Sequence, residues 1–132
     1  VANDDDPCPC GGGTYGACCG RAHRSEPAAT AEALMRSRYS AFALRDADHL
    51  LRTWHPDTRP DTLDLPTGRR WTRLRVLATE RGGADDTEGT VEFRAHFRDR
   101  GEPGVLSERS RFERVDGAWH YVDGDVHPSQ SS

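Results

Sequence analysis

The chain has 132 residues and 34% hydrophobic content, enough to bury one core, and no apolar run approaches the ~20 residues that a membrane span needs. Its formal charge is −4, which argues against general nucleic-acid binding, because that binding rests on phosphate neutralisation. All 18 basic residues are arginine, and acids are interleaved among them.

Residues 1–7 carry the run Asp4-Asp5-Asp6 and read as a frayed acidic tail. Then come all four thiols of the chain, Cys8, Cys10, Cys18 and Cys19, in one glycine-rich loop. Thiols gathered this way suit one soft ion, and Zn²⁺ is the ion expected, held structurally by four thiolates with no open position. Gly11, Gly12, Gly13, Gly16 and Gly20 let the backbone turn tightly enough to converge the ligands. His23, four residues past Cys19, is an alternative fourth ligand. Disulfides are the rival, but no secretory signal precedes the cysteines, so a reducing cytoplasm is the expected compartment. Cys-x-Cys and Cys-Cys are also not the Cys-x-x-Cys redox spacing.

After a polar linker, Arg21 to Ala29, Thr30 is a good N-cap and Ala31 to Leu44 reads as a helix. A second, short helix is expected over Ala47 to Trp54, ended by Pro56. Arg59 to Gly68 is a loop. Four strands follow, Trp71 to Arg81, Thr90 to Arg98, Val105 to Val115 and Ala118 to Val126, with Gly82-Gly83, Gly101 to Gly104 and Asp116-Gly117 between them. Residues 128–132 read as a disordered tail. Helices first and a meander afterwards is an α+β order, with helices packed on a curved four-stranded antiparallel sheet to make a cone. The expected units are a knuckle with its tail (1–24), the cone (25–127) and the terminal tail (128–132).

Alternation gives the lining of the cone. Val91, Phe93, Ala95 and Phe97 share one face, and Glu92, Arg94, His96 and Arg98 the other. Leu106, Glu108, Ser110 and Phe112 fall together, as do Trp119, Tyr121 and Asp123. At 100° per residue Arg38 lies in the apolar stripe of the first helix with Ala31, Leu34, Met35 and Phe42. A buried arginine needs a partner, and Glu108 or Asp123 is the expected one. The pocket candidates are therefore Arg38, Tyr39, Trp54, His55, Glu108, Ser110, Tyr121 and Asp123. They allow two roles: a structural ion pair with core aromatics, or a ligand pocket with Glu108 or Asp123 as general base or polar anchor.

Cys8-Pro9-Cys10-Gly11 followed by Cys18-Cys19-Gly20 resembles the SEC-C motif, the zinc knuckle also found at the C-terminus of the SecA translocation ATPase. The seven residues between Cys10 and Cys18 are one fewer than is usual. The string Leu34-Met35-Arg36-Ser37-Arg38-Tyr39-Ser40-Ala41-Phe42, with Asp46-Ala47-Asp48 and Thr53-Trp54-His55-Pro56, resembles the bacterial YchJ family. Glu108-Arg109-Ser110-Arg111-Phe112 and Trp119-His120-Tyr121-Val122-Asp123-Gly124 extend the likeness over about residues 8 to 125. The resemblance implies a zinc knuckle joined to a domain similar to nuclear transport factor 2 (NTF2), a fold that serves enzymes and binding proteins alike. The function expected is that of a zinc-binding cytosolic accessory protein that engages a protein partner through the knuckle; the alternative is a small-molecule binder or isomerase- or dehydratase-like enzyme using the cone.

Overall fold

A computed structural model describes residues 5–11, 13–16, 18–20, 28–63, 65, 68–83 and 85–127. The expected tail at 128–132, His23 and the boundary between residues 24 and 25 lie outside the described residues. Helix α1 spans Ala31–Leu44 and α2 spans Ala47–Arg52; strands β1 (Arg69–Arg81), β2 (Glu88–Asp99), β3 (Glu102–Val115) and β4 (Ala118–His127) follow. The strands form one antiparallel sheet in the order β1-β2-β3-β4, and α1 packs across it. The α+β architecture is the one expected.

Local chemistry sets the helix ends. Thr30 Oγ1 accepts from the Ala33 amide at 3.1 Å, and Glu32 pairs with Arg36 one turn on at 3.0 Å. Arg45 closes α1 in the left-handed conformation (φ 61°), its N–H reaching the carbonyls of Ala41 and Phe42. Asp46 then caps α2 by accepting from the His49 amide. Helix α2 stops at Arg52, short of the expected Trp54, because the backbone of residues 53–55 is claimed by the sheet. Tyr121 N–H donates to Thr53 O at 2.8 Å, and His55 N–H donates to Tyr121 O at 2.7 Å. The strip therefore lies parallel to β4 and brings Trp54 alongside Tyr121.

Inner-face alternation fills the core with Leu34, Met35 and Tyr39 of α1 and with Leu74, Val91, Phe93, Ala95, Phe112 and Trp119 of the sheet. Three irregularities change the phase of that alternation. In β1 the register shifts between Trp71 and Arg73 and again between Val76 and Ala78. Across β3 and β4, Phe112 faces Tyr121 while Arg111 faces Asp123, so Val122 is an extra residue. Thr58 Oγ1 donates to the Val122 carbonyl at 2.7 Å.

Candidate functional site

Two sites share helix α1. The first is the knuckle. Its first turn is a small hairpin in which Cys8 N–H donates to Gly13 O at 2.7 Å and Tyr15 N–H donates to Asp6 O at 2.8 Å. Asp6 and Pro7, expected in the frayed tail, are thus held, because this turn needs a facing strand for its own amides. Gly11 (φ 84°) and Gly13 (φ 116°) occupy backbone regions that side chains disfavour. The second turn hangs on one carbonyl: Tyr15 O accepts from Cys18 N–H and Gly20 N–H.

These turns converge the four thiols. Sulfur–sulfur separations are 3.6 Å for Cys8–Cys10, 3.4 Å for Cys10–Cys18, 3.9 Å for Cys18–Cys19 and 3.6 Å for Cys10–Cys19. All four sulfurs lie within 4.8 Å of one another, close enough to hold a metal ion, and all are free thiols. On their own they divide unevenly. Hydrogen bonds from Cys10 and Cys19 pull Cys8 far below the usual thiol range, whereas burial pushes Cys18 up to about 11 and the contact with Cys10 pushes Cys19 up. A divalent cation would relieve that competition by favouring thiolate at every position.

The second site is a cavity of about 250 Å³ between α1, Trp54, Leu65 and the inner face of the sheet. Of the expected pocket residues, Arg38, Tyr39, Trp54, Glu108 and Tyr121 line it. Arg38 is 4% exposed and its guanidinium lies against two rings, 5.0 Å from the Trp54 centroid and 4.5 Å from that of Tyr121. Its Nη1 donates to Leu50 O (2.7 Å) and Thr53 Oγ1 (2.8 Å). Burial lowers its pKa to about 10. No ion pair links it to a carboxylate among the described residues, so the expected bridge to Glu108 or Asp123 is replaced by stacking and neutral acceptors.

Glu108 is held from the other side. Its Oε2 accepts from Ser110 Oγ and from Tyr121 Oη, the latter at 3.3 Å. Ser110 is buried but stands behind Glu108 and does not line the cavity. Asp123 is outside altogether: the extra residue Val122 turns it to the outer face, where it meets Arg111. His55 lies behind the strip at residues 53–55, with Nδ1 accepting from the Asp57 amide at 3.0 Å and Nε2 3.4 Å from Glu113. It too is not part of the lining.

Polar groups in this region remain without hydrogen bonds to described residues: Tyr39 Oη and Trp54 Nε1, both on lining residues, and Nε of Arg69. Burial first, and then Cys10, pushes the Tyr39 hydroxyl up to about 12, so it stands as a proton donor. Arg45 and Arg69 also line the cavity and were not expected there. Arg69 lies 4.1 Å over Phe97 and pairs with Asp99 at 3.3 Å. Neither had a readable signal, since Arg45 follows a helix end and Arg69 precedes the expected strand start.

A family model described as YchJ, middle NTF2-like domain, matches residues 30–124. The chain is 61% identical over 121 residues to UPF0225 protein SCO1677 of Streptomyces coelicolor, covering 90% of this chain and 94% of that one. It is 51% identical to the UPF0225 protein of Chromobacterium violaceum, covering 90% and 92%. Among solved structures, RPA3114 of Rhodopseudomonas palustris, a SEC-C motif containing protein, matches with TM-score 0.79 at 39% identity, over 91% of this chain and 98% of that one. A SEC-C motif containing protein of Psychrobacter arcticus matches with TM-score 0.76 at 27% identity, over 96% and 85%. With the cysteine cluster attached to α1 and an NTF2-like sheet, the chain belongs to the YchJ (UPF0225) family.

Proposed function

We propose that this chain is a zinc-stabilised binding protein whose cavity takes a small, flat molecule bearing an anionic or strongly accepting group. The observation that carries this is the set of orphaned donors around an apolar space. Tyr39 Oη and Trp54 Nε1 have no partner among the described residues, and Arg38 is a buried charge without a carboxylate. Buried donors left unmade cost free energy, and an acceptor entering the cavity would recover it. Three arginines against one glutamate favour an anion, and Phe42, Trp71 and Phe93 suit a planar apolar body. Small-molecule sites commonly start at ~300 Å³, so the occupant is a compact metabolite and not a steroid-sized one.

Zinc is the ion proposed for the knuckle, with Cys8, Cys10, Cys18 and Cys19 as ligands. A tetrahedron with ~2.3 Å bonds has edges of about 3.8 Å, close to the sulfur separations seen here. The role is structural, since four thiolates leave no open position. A reduced tetrathiolate suits a cytoplasmic protein. A second reading, docking of a protein partner through the knuckle, is supported by the exposed loop residues Gly11, Gly13 and Thr14.

The test is an NMR titration with naphthoate and its neutral counterpart naphthylmethanol, followed on the Trp54 indole N–H. The acid should bind and shift that resonance downfield, and the alcohol should bind at least tenfold more weakly. If no member of an aromatic-acid fragment set moves Trp54, the cavity is not a ligand site and the reading fails.

A further inference from the structure

The outer face of the sheet carries a feature that the cavity does not use. Register places Arg70 opposite Arg98, Arg73 opposite His96 and Arg75 opposite Arg94, three successive rungs of β1 and β2. The five arginines are exposed. The shift between Trp71 and Arg73 creates the ladder, because it keeps Arg73 and Arg75 on the same face as Arg70. Like charges directly opposite one another destabilise a sheet, so the fold gains nothing from this arrangement. No ion pair is made by any of the five among the described residues. His96, half-buried in their midst, has Nε2 without a partner. Its pKa is lowered by burial and then by Arg73, Arg75 and Arg94, so three of the charges converge on one point.

The rest of that face behaves differently. Arg109 pairs with Glu80, Arg81 with Glu88, and Arg111 with Asp123 and Asp125. Those acids are already engaged, so the far end of the sheet offers no free anionic patch to a second copy of the ladder. An acidic peptide would need apolar anchors to hold on, and the ladder has no Phe, Tyr or Trp on its rungs. Phosphate backbones need none, since their binding runs on charge and counterion release alone. Rungs repeat every ~6.8 Å along the strands, and each guanidinium can fork onto phosphate oxygens.

We infer that the ladder Arg70, Arg73, Arg75, Arg94, Arg98 is a sequence-independent site for the phosphate backbone of a nucleic acid. It runs against the expectation drawn from net charge, which averages over the whole chain and does not register a local ladder. With no Phe, Tyr or Trp on the rungs to stack on, bases are not read. The site is independent of the cavity.

Fluorescence anisotropy of the intact metal-loaded protein tests this, with labelled oligouridylate and a mixed-sequence DNA duplex as probes. Binding at low salt should fall with a log–log salt slope of roughly −3.5 on the single strand if all five arginines engage. The double variant Arg75→Gln/Arg94→Gln removes one rung and should reduce that slope by about 1.4, while melting no lower than the parent. Arg111→Gln, at the paired end, should leave the slope unchanged. The ratio of the two probes assigns single strand or duplex. The inference is overturned by any of three results: no salt-dependent binding to either probe, equal displacement by polyglutamate at matched charge, or an unaltered slope in the double variant. Self-association abolished by the same double variant would reassign the face to a second copy.

Discussion

Cys8 Sγ lies 3.5 Å from Ser40 Oγ, which fastens the thiol cluster to the middle of α1. Arg36 adds a second attachment, Nη1 to Cys10 O at 3.3 Å. The knuckle is thus built onto the larger domain, and Cys8, Cys10 and Cys19 join the buried cluster that holds Leu34, Val91, Phe93, Phe112 and Trp119. Purified protein should contain about one zinc per chain by elemental analysis. Chelation should release amide protection at residues 8–20 and lower the melting temperature, while far-ultraviolet dichroism of the sheet persists. Cooperative loss of the whole fold on chelation would show that the core is not self-sufficient.

Arg38→Met separates structure from binding. The substitution removes two hydrogen bonds and leaves Leu50 O and Thr53 Oγ1 with fewer partners, but it also relieves a buried charge. A stability loss of about 1–3 kcal/mol is expected in urea titration. Naphthoate binding should drop beyond detection in the folded variant. Binding retained at parental affinity would reduce Arg38 to a structural cation.

Tyr39→Phe should move stability and binding in opposite directions. Its hydroxyl is buried without a partner, so deletion should raise stability by about 1 kcal/mol. The same deletion should weaken an acid ligand about tenfold, since one donor is lost. A fall in both quantities would indicate that the hydroxyl is satisfied within the fold.

Gly124 and Glu108 occupy space that a methyl group would contest, because a Cβ at position 124 would meet the Glu108 carboxylate at less than contact distance. Gly124→Ala should therefore displace Glu108 from Ser110 and Tyr121 and cost about 1–3 kcal/mol. Crystallography of the variant would show the carboxylate swung away. An unmoved Glu108 with unchanged melting would mean that β4 yields instead.

Asp123→Asn should leave both the cavity and ligand binding untouched, because Asp123 serves an exposed pairing with Arg111 on the outer face. The naphthoate titration checks it directly. Loss of binding would place Asp123 in the site after all.

What could be read in the sequence was whatever has a period or a cap. Thr30 and the arc of Leu34, Met35 and Arg38 define α1, and the Val91-Phe93-Ala95-Phe97 alternation defines β2 with its inner face. The cysteine cluster was legible because residue type and spacing alone specify thiol chemistry. Asp123 was misplaced because an inserted residue reverses the phase of every side chain beyond it, and only cross-strand register reveals the insertion. The strands begin earlier than expected, at Arg69, Glu88 and Glu102, since their polar ends carry no alternation. Arg69 reaches the cavity from such an end and Arg45 from a helix cap, and the arginine ladder depends on a register shift between β1 and β2 that sequence alone does not show.

Helix α1 carries Ser40 toward the thiols and Arg38 and Tyr39 toward the cavity within a single turn, so one rigid body borders both sites. Metal and ligand then become reciprocal effectors. An ion that fixes the rotation of α1 presets the donors, and a ligand that holds those donors presets the sulfur cluster. Thermodynamic linkage makes the two gains equal: whatever factor metal adds to ligand affinity, the ligand must add to metal affinity. Protein stripped of metal should bind naphthoate more weakly by the same factor by which naphthoate lowers the free zinc needed to refill the knuckle.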